Sequence, residues 1–400
     1  AAEYLHTKYK DTGLKWAMAG RNAAKLESVR LEIGASEADT IVADANDHGS
    51  IKEMARSTRV IANFAGTPFL DKGLPIVEAC VSEGTHYVDI TGEVPFHRAS
   101  YDLFHEEAKR NKALIVHSCG YDSIPSDLGA LLAAKAMREQ HGMGCSRIRL
   151  VAGDSRGGVS GGTIHTALGL AFGSDRNNSP GVAEAKKRGC YALDPSDGRG
   201  GSDTVDGARG LVEFDPVVDT WVAPFVMAGV NAPVVRKSNA VLGYAWGTDV
   251  SYSEVSGVSG RIGAYKALGA MGIGGALLVF PPTRWLLTRF VLPKPGDGPS
   301  PELRNSGYFK STVYAVGDQG GDNTNDNNNP PPVTVATIES GDGGDPGYKC
   351  TARMSMEAAL TLALEREKCA QGGGVLTPAA ALGLPLVERL NRSGMRLAVR

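Results

Sequence analysis

The six cysteines, Cys80, Cys119, Cys145, Cys190, Cys350 and Cys369, include no CxxC pair, and no Cys/His group has zinc-finger spacing. A zinc module and a dithiol redox centre are therefore not indicated. Reduced thiols in an intracellular, cytoplasmic protein are the expectation. Charge of one sign is also lacking. Lys+Arg number 42 against Asp+Glu 44, a formal net charge of -2, so no broad nucleic-acid surface is expected. No signal peptide is visible, and the opening AAEYLHTKYK has no Met and reads as the back half of an amphipathic helix. No Ser-His-Asp set, metal-ligand set or carboxylate pair stands out from spacing alone. His117 and His165 are single histidines, read as packed or surface residues rather than bases.

Long hydrophobic runs are scarce too. The uncharged run from Ala267 to Thr283 contains Gly269, Gly272, Gly274 and Gly275 and ends in two prolines. A spanning helix needs about 20 apolar residues, so a simple transmembrane helix is not expected. Two readings stay open for residues 267–290. One is a buried helix or an interdomain or homodimer contact. The other is a segment that dips into a lipid surface, with Trp285 and the flanking cations Lys266 and Arg284 at the interface.

What is present is an ordinary globular composition, 42% hydrophobic and 22% charged. At 400 residues the chain can build two domains. Short apolar runs at 14–18, 40–43, 60–65, 86–90 and 113–117 read as strands. Helical spacing intervenes at 22–33, 50–56, 74–83, 96–111 and 127–138. This alternation predicts a parallel sheet with helices on both faces, with the loops after the strands gathered at one ligand-binding edge. The fold class is α/β, a Rossmann-type doubly wound sheet over residues 1–145, followed by an α+β domain over 146–345. Residues 346–400 are expected to return to the first domain as helices. In the second domain, 147–151, 241–246 and 249–255 read as strands and 174–210 as loop. Residues 312–316 and 333–338 read as a hairpin around a disordered, low-complexity insertion at 317–332.

Such a sheet normally carries GxGxxG between its first strand and first helix, where backbone amides hold a pyrophosphate. None precedes residue 10, so the first strand and its glycine-rich loop are expected to be missing. The second strand end usually offers an acid to a ribose 2′-hydroxyl. Here it is Gly20-Arg21-Asn22, and Arg21 suits a 2′-phosphate, which favours NADP over NAD. A solvated helix-start role for Arg21 remains the alternative. Asp44 ends the next strand, as an adenine contact or a turn former. Asn63, Ala65, Gly66, Thr67 and Pro68 follow, small enough to let backbone approach a cofactor. Thr91-Gly92-Glu93 and the run from Gly120 to Asp127 end the next two strands. Tyr121, Asp122 and Ser123 are candidates to face a substrate or nicotinamide, with Ser126 or Asp127 as a helix N-cap. The SGGT turn at 160–163 offers either an anion site or an ordinary cap.

Taken in order, AGRN with Lys25-Leu26, NFAGTPF, GTHYVDITGE, GYDSIPSDLG, SGGT, LPKPGDGPS and GDPGYKCTARM resemble the saccharopine dehydrogenase-like oxidoreductases, a family that includes bacterial trans-acting enoyl reductases. The resemblance implies Arg21, Asn63, Ala65, Gly66 and Pro68 as cofactor-facing, and Gly120, Tyr121, Asp122 and Ser123 as the loop facing the active site. It also implies a link to glycolipid or other lipid metabolism and association with a membrane or lipid droplet. No basic cluster is present to hold a substrate with several carboxylates, so saccharopine itself is not the expected substrate. The expectation is an NADP-dependent oxidoreductase with Tyr121 or Asp122 handling the proton and Asp44, Thr91 and Ser123 also near the cofactor. The substrate is a small molecule or a lipid. The alternative is a non-catalytic protein of a lipid surface.

Overall fold

The computed structural model describes residues 1–65, 68–157, 168, 180–195, 212–292, 298–320 and 330–400. Gly66, Thr67, the SGGT turn, His165 and the centre of the 317–332 insertion lie outside the described residues.

The N-terminal part alternates strands and helices. After α1 (Ala2–Tyr9) come β1 (Ala17–Gly20), α2 (Ala23–Glu32), β2 (Asp39–Val42), α3 (His48–Arg56) and β3 (Val60–Asn63). Then follow α4 (Phe69–Lys72), α5 (Leu74–Glu83), β4 (His86–Asp89), α6 (Val94–Arg110), β5 (Leu114–Val116) and α7 (Ile124–His141). Local chemistry sets several boundaries. Asn22 accepts from Lys25 N at 3.0 Å to cap α2, and Asp47 accepts from Gly49 N at 3.0 Å to cap α3. Asp44 forms a turn instead, its carboxylate accepting from Asn46 N at 3.0 Å. Gly84 ends α5 in the left-handed region at φ 71°.

The expected single parallel sheet is two parallel ladders. β1 pairs with β2, and β3, β4, β5 and β12 (Gly374–Leu376) form the other in the order β12-β5-β4-β3. No described strand bonds to both β1 and β3. The ladders share an apolar layer in which Ile41, Ala43 and Ala45 pack on the cluster holding Ile51, Val77, Tyr87 and Ile115.

A seven-stranded mixed sheet forms the second layer. Its strands are β6 (Cys145–Arg156), β7 (Glu213–Asp215), β8 (Thr220–Pro224), β9 (Ser251–Val258), β10 (Tyr308–Gly317), β11 (Val333–Glu339) and β13 (Arg396–Val399). β6 and β9 run parallel, and the other pairs are antiparallel. The hairpin expected around the insertion is β10–β11. Residues 241–246 are not a strand. They close the helix Ala228–Val241 and turn, with Tyr244 at φ 59°. Within the stretch read as loop, Pro180–Arg188 is a helix. The C-terminal segment serves both sheets, through β12 and β13.

α7 joins the layers. It leaves the end of β5 and crosses to the second sheet, and Leu128, Ala130, Leu132, Ala133 and Met137 are buried along it. Gly129 makes the approach possible, because a Cβ there would lie 2.7 Å from both Val313 Cγ2 and Ile338 Cδ1. Thr334 Oγ1 donates to Ala133 O at 2.8 Å. The main core therefore runs from Val88 and Val116 through Leu128 to Ile148, Val313 and Ile338.

Candidate functional site

Parallel register lines up the strand ends. Asn63 stands opposite Asp89, and one step past the Val88–Val116 and Val116–Leu376 pairs come His117 and Thr377. The segments leaving this row are 64–65, 90–93 and 118–123.

Two buried carboxylates tie these loops together. Asp89 Oδ1 accepts from Thr91 N at 3.1 Å and from Ser118 N at 3.0 Å, while Oδ2 lies 2.7 Å from His117 Nδ1. His117 Nε2 is 2.9 Å from Ser100 Oγ. Glu93, 1% exposed, accepts from Phe69 N at 2.7 Å and Leu70 N at 2.9 Å. It thus fills the N-terminus of α4 that follows Pro68 and leaves no place there for a phosphate. Glu93 N donates to Thr91 Oγ1 at 3.0 Å, so the loops after three strands form one bonded unit. Asn63 belongs to it as well. Its Oδ1 accepts from Ala65 N at 2.9 Å and its Nδ2 donates to the Tyr87 hydroxyl at 3.0 Å.

Gly120 and Tyr121 rest on the helix Thr351–Leu364. A Cβ on Gly120 would come within 3.1 Å of Thr351 Cγ2, and Tyr121 N donates to Thr351 Oγ1 at 3.1 Å. The Tyr121 ring stands edge-on to Phe309 with centroids 4.8 Å apart, and burial raises its hydroxyl pKa. Asp122 is partly buried beside Gly92, where a Cβ would lie 3.3 Å from Asp122 Oδ2 and 3.6 Å from Val230 Cγ1. Among the described residues Asp122 accepts no hydrogen bond. Desolvation pushes its acid up to about 6.

The second layer closes on the same loop with residues that sequence spacing did not single out. Ser123, fully buried, donates to Asn231 Oδ1 at 3.2 Å, and Asn231 Nδ2 donates to Glu254 Oε2 at 2.9 Å. Tyr252 donates to Glu254 Oε1 at 2.7 Å, and burial raises the pKa of Glu254. Ser123 holds the N-cap position of α7, so neither Ser126 nor Asp127 caps that helix. The Asp127 carboxylate takes Ser238 Oγ and, at 2.7 Å, Ala379 N, and burial pushes it up to about 7. Behind α6, Lys237 Nζ lies 3.2 Å from His97 Nε2 and 4.3 Å from the Tyr101 ring centroid, its pKa driven down to about 7 by burial and then by Arg98. A signal for Glu254 was present. Tyr252 and Glu254 share the inward face of a strand, where an acid is out of place.

Arg21 and Asp44 are not among these groups. They follow β1 and β2, whose ends are joined by Ala43 N donating to Gly20 O at 3.1 Å, and Arg21 is exposed at the start of α2. An exposed guanidinium at a helix N-terminus fits a phosphate, and the Asn63–Ala65 turn fits close backbone approach. Among the described residues no group of His, Cys, Asp and Glu could hold a metal ion.

Residues 1–116 match the saccharopine dehydrogenase NADP-binding domain. A Mycobacterium tuberculosis protein of the trans-acting enoyl reductase group is 35% identical, over 99% of this chain and 93% of its own length. The trans-acting enoyl reductase of Mycobacterium ulcerans is 32% identical over 98% of this chain and 92% of its own. The chain belongs to this saccharopine dehydrogenase-like family. A solved neighbour is apo saccharopine dehydrogenase (L-Glu forming) of Saccharomyces cerevisiae, at 12% identity, TM-score 0.49 and coverage of 99% of this chain and 96% of that one. Family membership brings an oxidoreductase of Rossmann type with an NADP-binding domain.

Proposed function

We propose that the protein reduces an activated double bond on a hydrophobic, lipid-linked substrate, with NADP(H) as cofactor, at a lipid surface. The observation that carries this reading is Asp122, an acid left without a hydrogen-bonding partner among the described residues. It sits where the loops after β4 and β5 meet Val230 and Asn231 of the second layer.

Bound cofactor would supply a hydride. Arg21 would hold its 2′-phosphate and the turn at Asn63 and Ala65 would line its path, with Gly66 and Pro68 on the same loop and Asp44 beside the adenine. The relatives' name, enoyl reductase, describes hydride addition to one alkene carbon and proton addition to the other. Asp122 is suited to deliver that proton, because an acid raised to about 6 keeps part of its protons near neutral pH. Tyr121, beside it, is held neutral and can donate a hydrogen bond to the developing enolate oxygen. Thr91, Gly120 and Ser123 shape the backbone that presents the pair.

NADPH and NADH titrations followed by thermal unfolding test the cofactor reading. Stabilisation by NADPH at lower concentration than NADH is expected, and Arg21→Ala should erase the difference. No shift with either at millimolar concentration would overturn it. The second reading is a protein of a lipid surface without catalysis. It is favoured by the exposed helix Gly260–Val279, which among the described residues is long and apolar enough to cross a membrane.

A further inference from the structure

The helix Gly260–Val279 and its successor Pro281–Phe290 form a projecting pair. Among the described residues the buried anchor is at the root. Ala264 is fully buried, and the Arg261 guanidinium sits 5.8 Å from the centroid of the Trp221 ring on β8. Beyond it most side chains are open and none is buried. Ile273 is 65% exposed, Val279 63%, Trp285 62% and Phe290 69%. In the most apolar stretch of the first helix only 6% of residues are buried.

Three observations choose the occupant. First, Met271, Ile273, Leu277 and Val279 point to all sides of the first helix, since successive residues turn by about 100°. A protein groove covers one side of a helix, whereas lipid surrounds it. Second, Val255 to Leu292 contains Arg261, Lys266, Arg284 and Arg289 and no acid, so the charge suits an anionic headgroup layer. Third, the pair enters from β9 and leads back towards β10, and both strands flank β6 in one sheet. The outward helix is about 30 Å long and the returning one about 15 Å. The return helix is too short to span a hydrocarbon core, and lipid-exposed chain without helix is not tolerated there.

We propose that residues 260–291 are a re-entrant hairpin that seats the protein on one leaflet of an anionic bilayer. Phe280-Pro281 is its tip, and Trp285, Arg284 and Arg289 lie at the interface. The seat also orients the site. The hairpin leaves β9 at Val258, four residues from Glu254, or about 13 Å along the strand. Glu254 bonds the Asn231–Ser123 chain next to Asp122. A lipid-linked substrate would therefore reach the acid from the membrane side. This rests on the lipid-surface part of the proposed function and not on its chemistry.

The test is flotation of the whole chain with vesicles of phosphatidylcholine alone or with 30% phosphatidylglycerol, about 30% being chosen to give a strong negative surface. Binding to the anionic vesicles is expected, weakened at least tenfold by Ile273→Asp with Val279→Asp and several-fold by Arg284→Glu with Arg289→Glu. Ile273, Val279 and Arg289 are exposed and Arg284 is half-buried, so the aspartate pair should unfold at the parent temperature, and the unfolding temperature of the arginine pair is read alongside its binding. NADPH-induced stabilisation, measured on the same samples, should not change, which separates failure of the seat from failure of the oxidoreductase reading. Absence of binding to either vesicle overturns the proposal. So does concentration-dependent self-association that the aspartate pair abolishes, which would assign the hairpin to a second copy.

Discussion

His117 Nδ1 lies 2.7 Å from Asp89 Oδ2 in a part of the interior where neither side chain meets solvent. With Ser100 on the other ring nitrogen, the three residues reproduce the contacts of a hydrolytic triad. They are not a nucleophilic site. Ser100 is inside α6 and fully buried, and the other Asp89 oxygen is committed to Thr91 N and Ser118 N. The set instead fixes two loops and one histidine tautomer. Asp89→Asn can keep these bonds if the ring proton moves to Nε2 and is donated to Ser100. It should cost about 1 kcal/mol, whereas Asp89→Ala leaves several buried donors unpaired and should cost about 3 kcal/mol or more. Urea unfolding measures both, and equal losses would contradict the tautomer switch.

Glu93 gives a local prediction. A carboxylate accepts from Phe69 N and Leu70 N through separate oxygens, and a carboxamide has only one acceptor oxygen. Glu93→Gln should therefore free one amide at the start of α4. A bond to a charged group contributes about 1.5–3 kcal/mol, so exchange of that amide should quicken about tenfold or more. Exchange in β10 and β11 should not change. NADPH affinity should fall in parallel, because α4 directly follows the loop that begins at Asn63 and Ala65. Unchanged exchange at residues 68–72 would show that Glu93 is not what holds the start of α4.

The sequence was legible where one local rule sufficed. Strands β3, β4 and β5 were plain apolar runs, the helix at 74–83 showed in its spacing, and the β10–β11 hairpin declared itself by alternation on both sides of a polar insert. The strand ends carrying Asn63, Thr91 and Tyr121 followed from topology. What stayed hidden depended on contacts between distant segments. Ser100, His117 and Asp89 share no spacing pattern, and Asn231 and Glu254 reach Ser123 only after α7 has crossed between the sheets. Residues 241–246 misled because Val241, Leu242, Tyr244 and Trp246 alternate with small residues. In the fold they end a helix, and Asn239 Oδ1 accepts from Trp246 N at 3.0 Å across the turn. The apolar run at 267–290 was read from its length, glycines and prolines as no simple transmembrane helix. Glycine weakens a helix by only about 1 kcal/mol each, and the two prolines fall in the first turn of the next helix, where they are tolerated.

Gly129 tests how α7 joins the layers. A methyl group at this position would sit 2.7 Å from Val313 Cγ2 and Ile338 Cδ1, both on the second sheet. Overpacking of this kind costs about 1–3 kcal/mol, and the gain in helix propensity from alanine returns no more than about 1. Gly129→Ala should lower stability by about 1–2 kcal/mol in urea unfolding, and Gly129→Leu should prevent folding. A more stable alanine variant would mean that the helix and sheet lie farther apart than described.

Asp122 combines a stability test with a functional one. Its acid lies at about 6 in the folded chain against 3.8 when unperturbed. Between those values the unfolded chain has released the proton and the folded chain still holds it. The folded state therefore loses stability as pH rises from about 4 to 6, and the loss stays in place above that. The gap corresponds to about 3 kcal/mol at most, and to roughly 1–3 kcal/mol for a side chain that is partly open to solvent. Asn carries no charge in either state. Asp122→Asn should match the parent near pH 4 and exceed it at pH 7, while NADPH still stabilises the variant and turnover of an enoyl substrate is lost. Parallel stability curves for the two chains would mean that Asp122 ionises freely in the fold, and its assignment as the proton donor would then lose its physical basis.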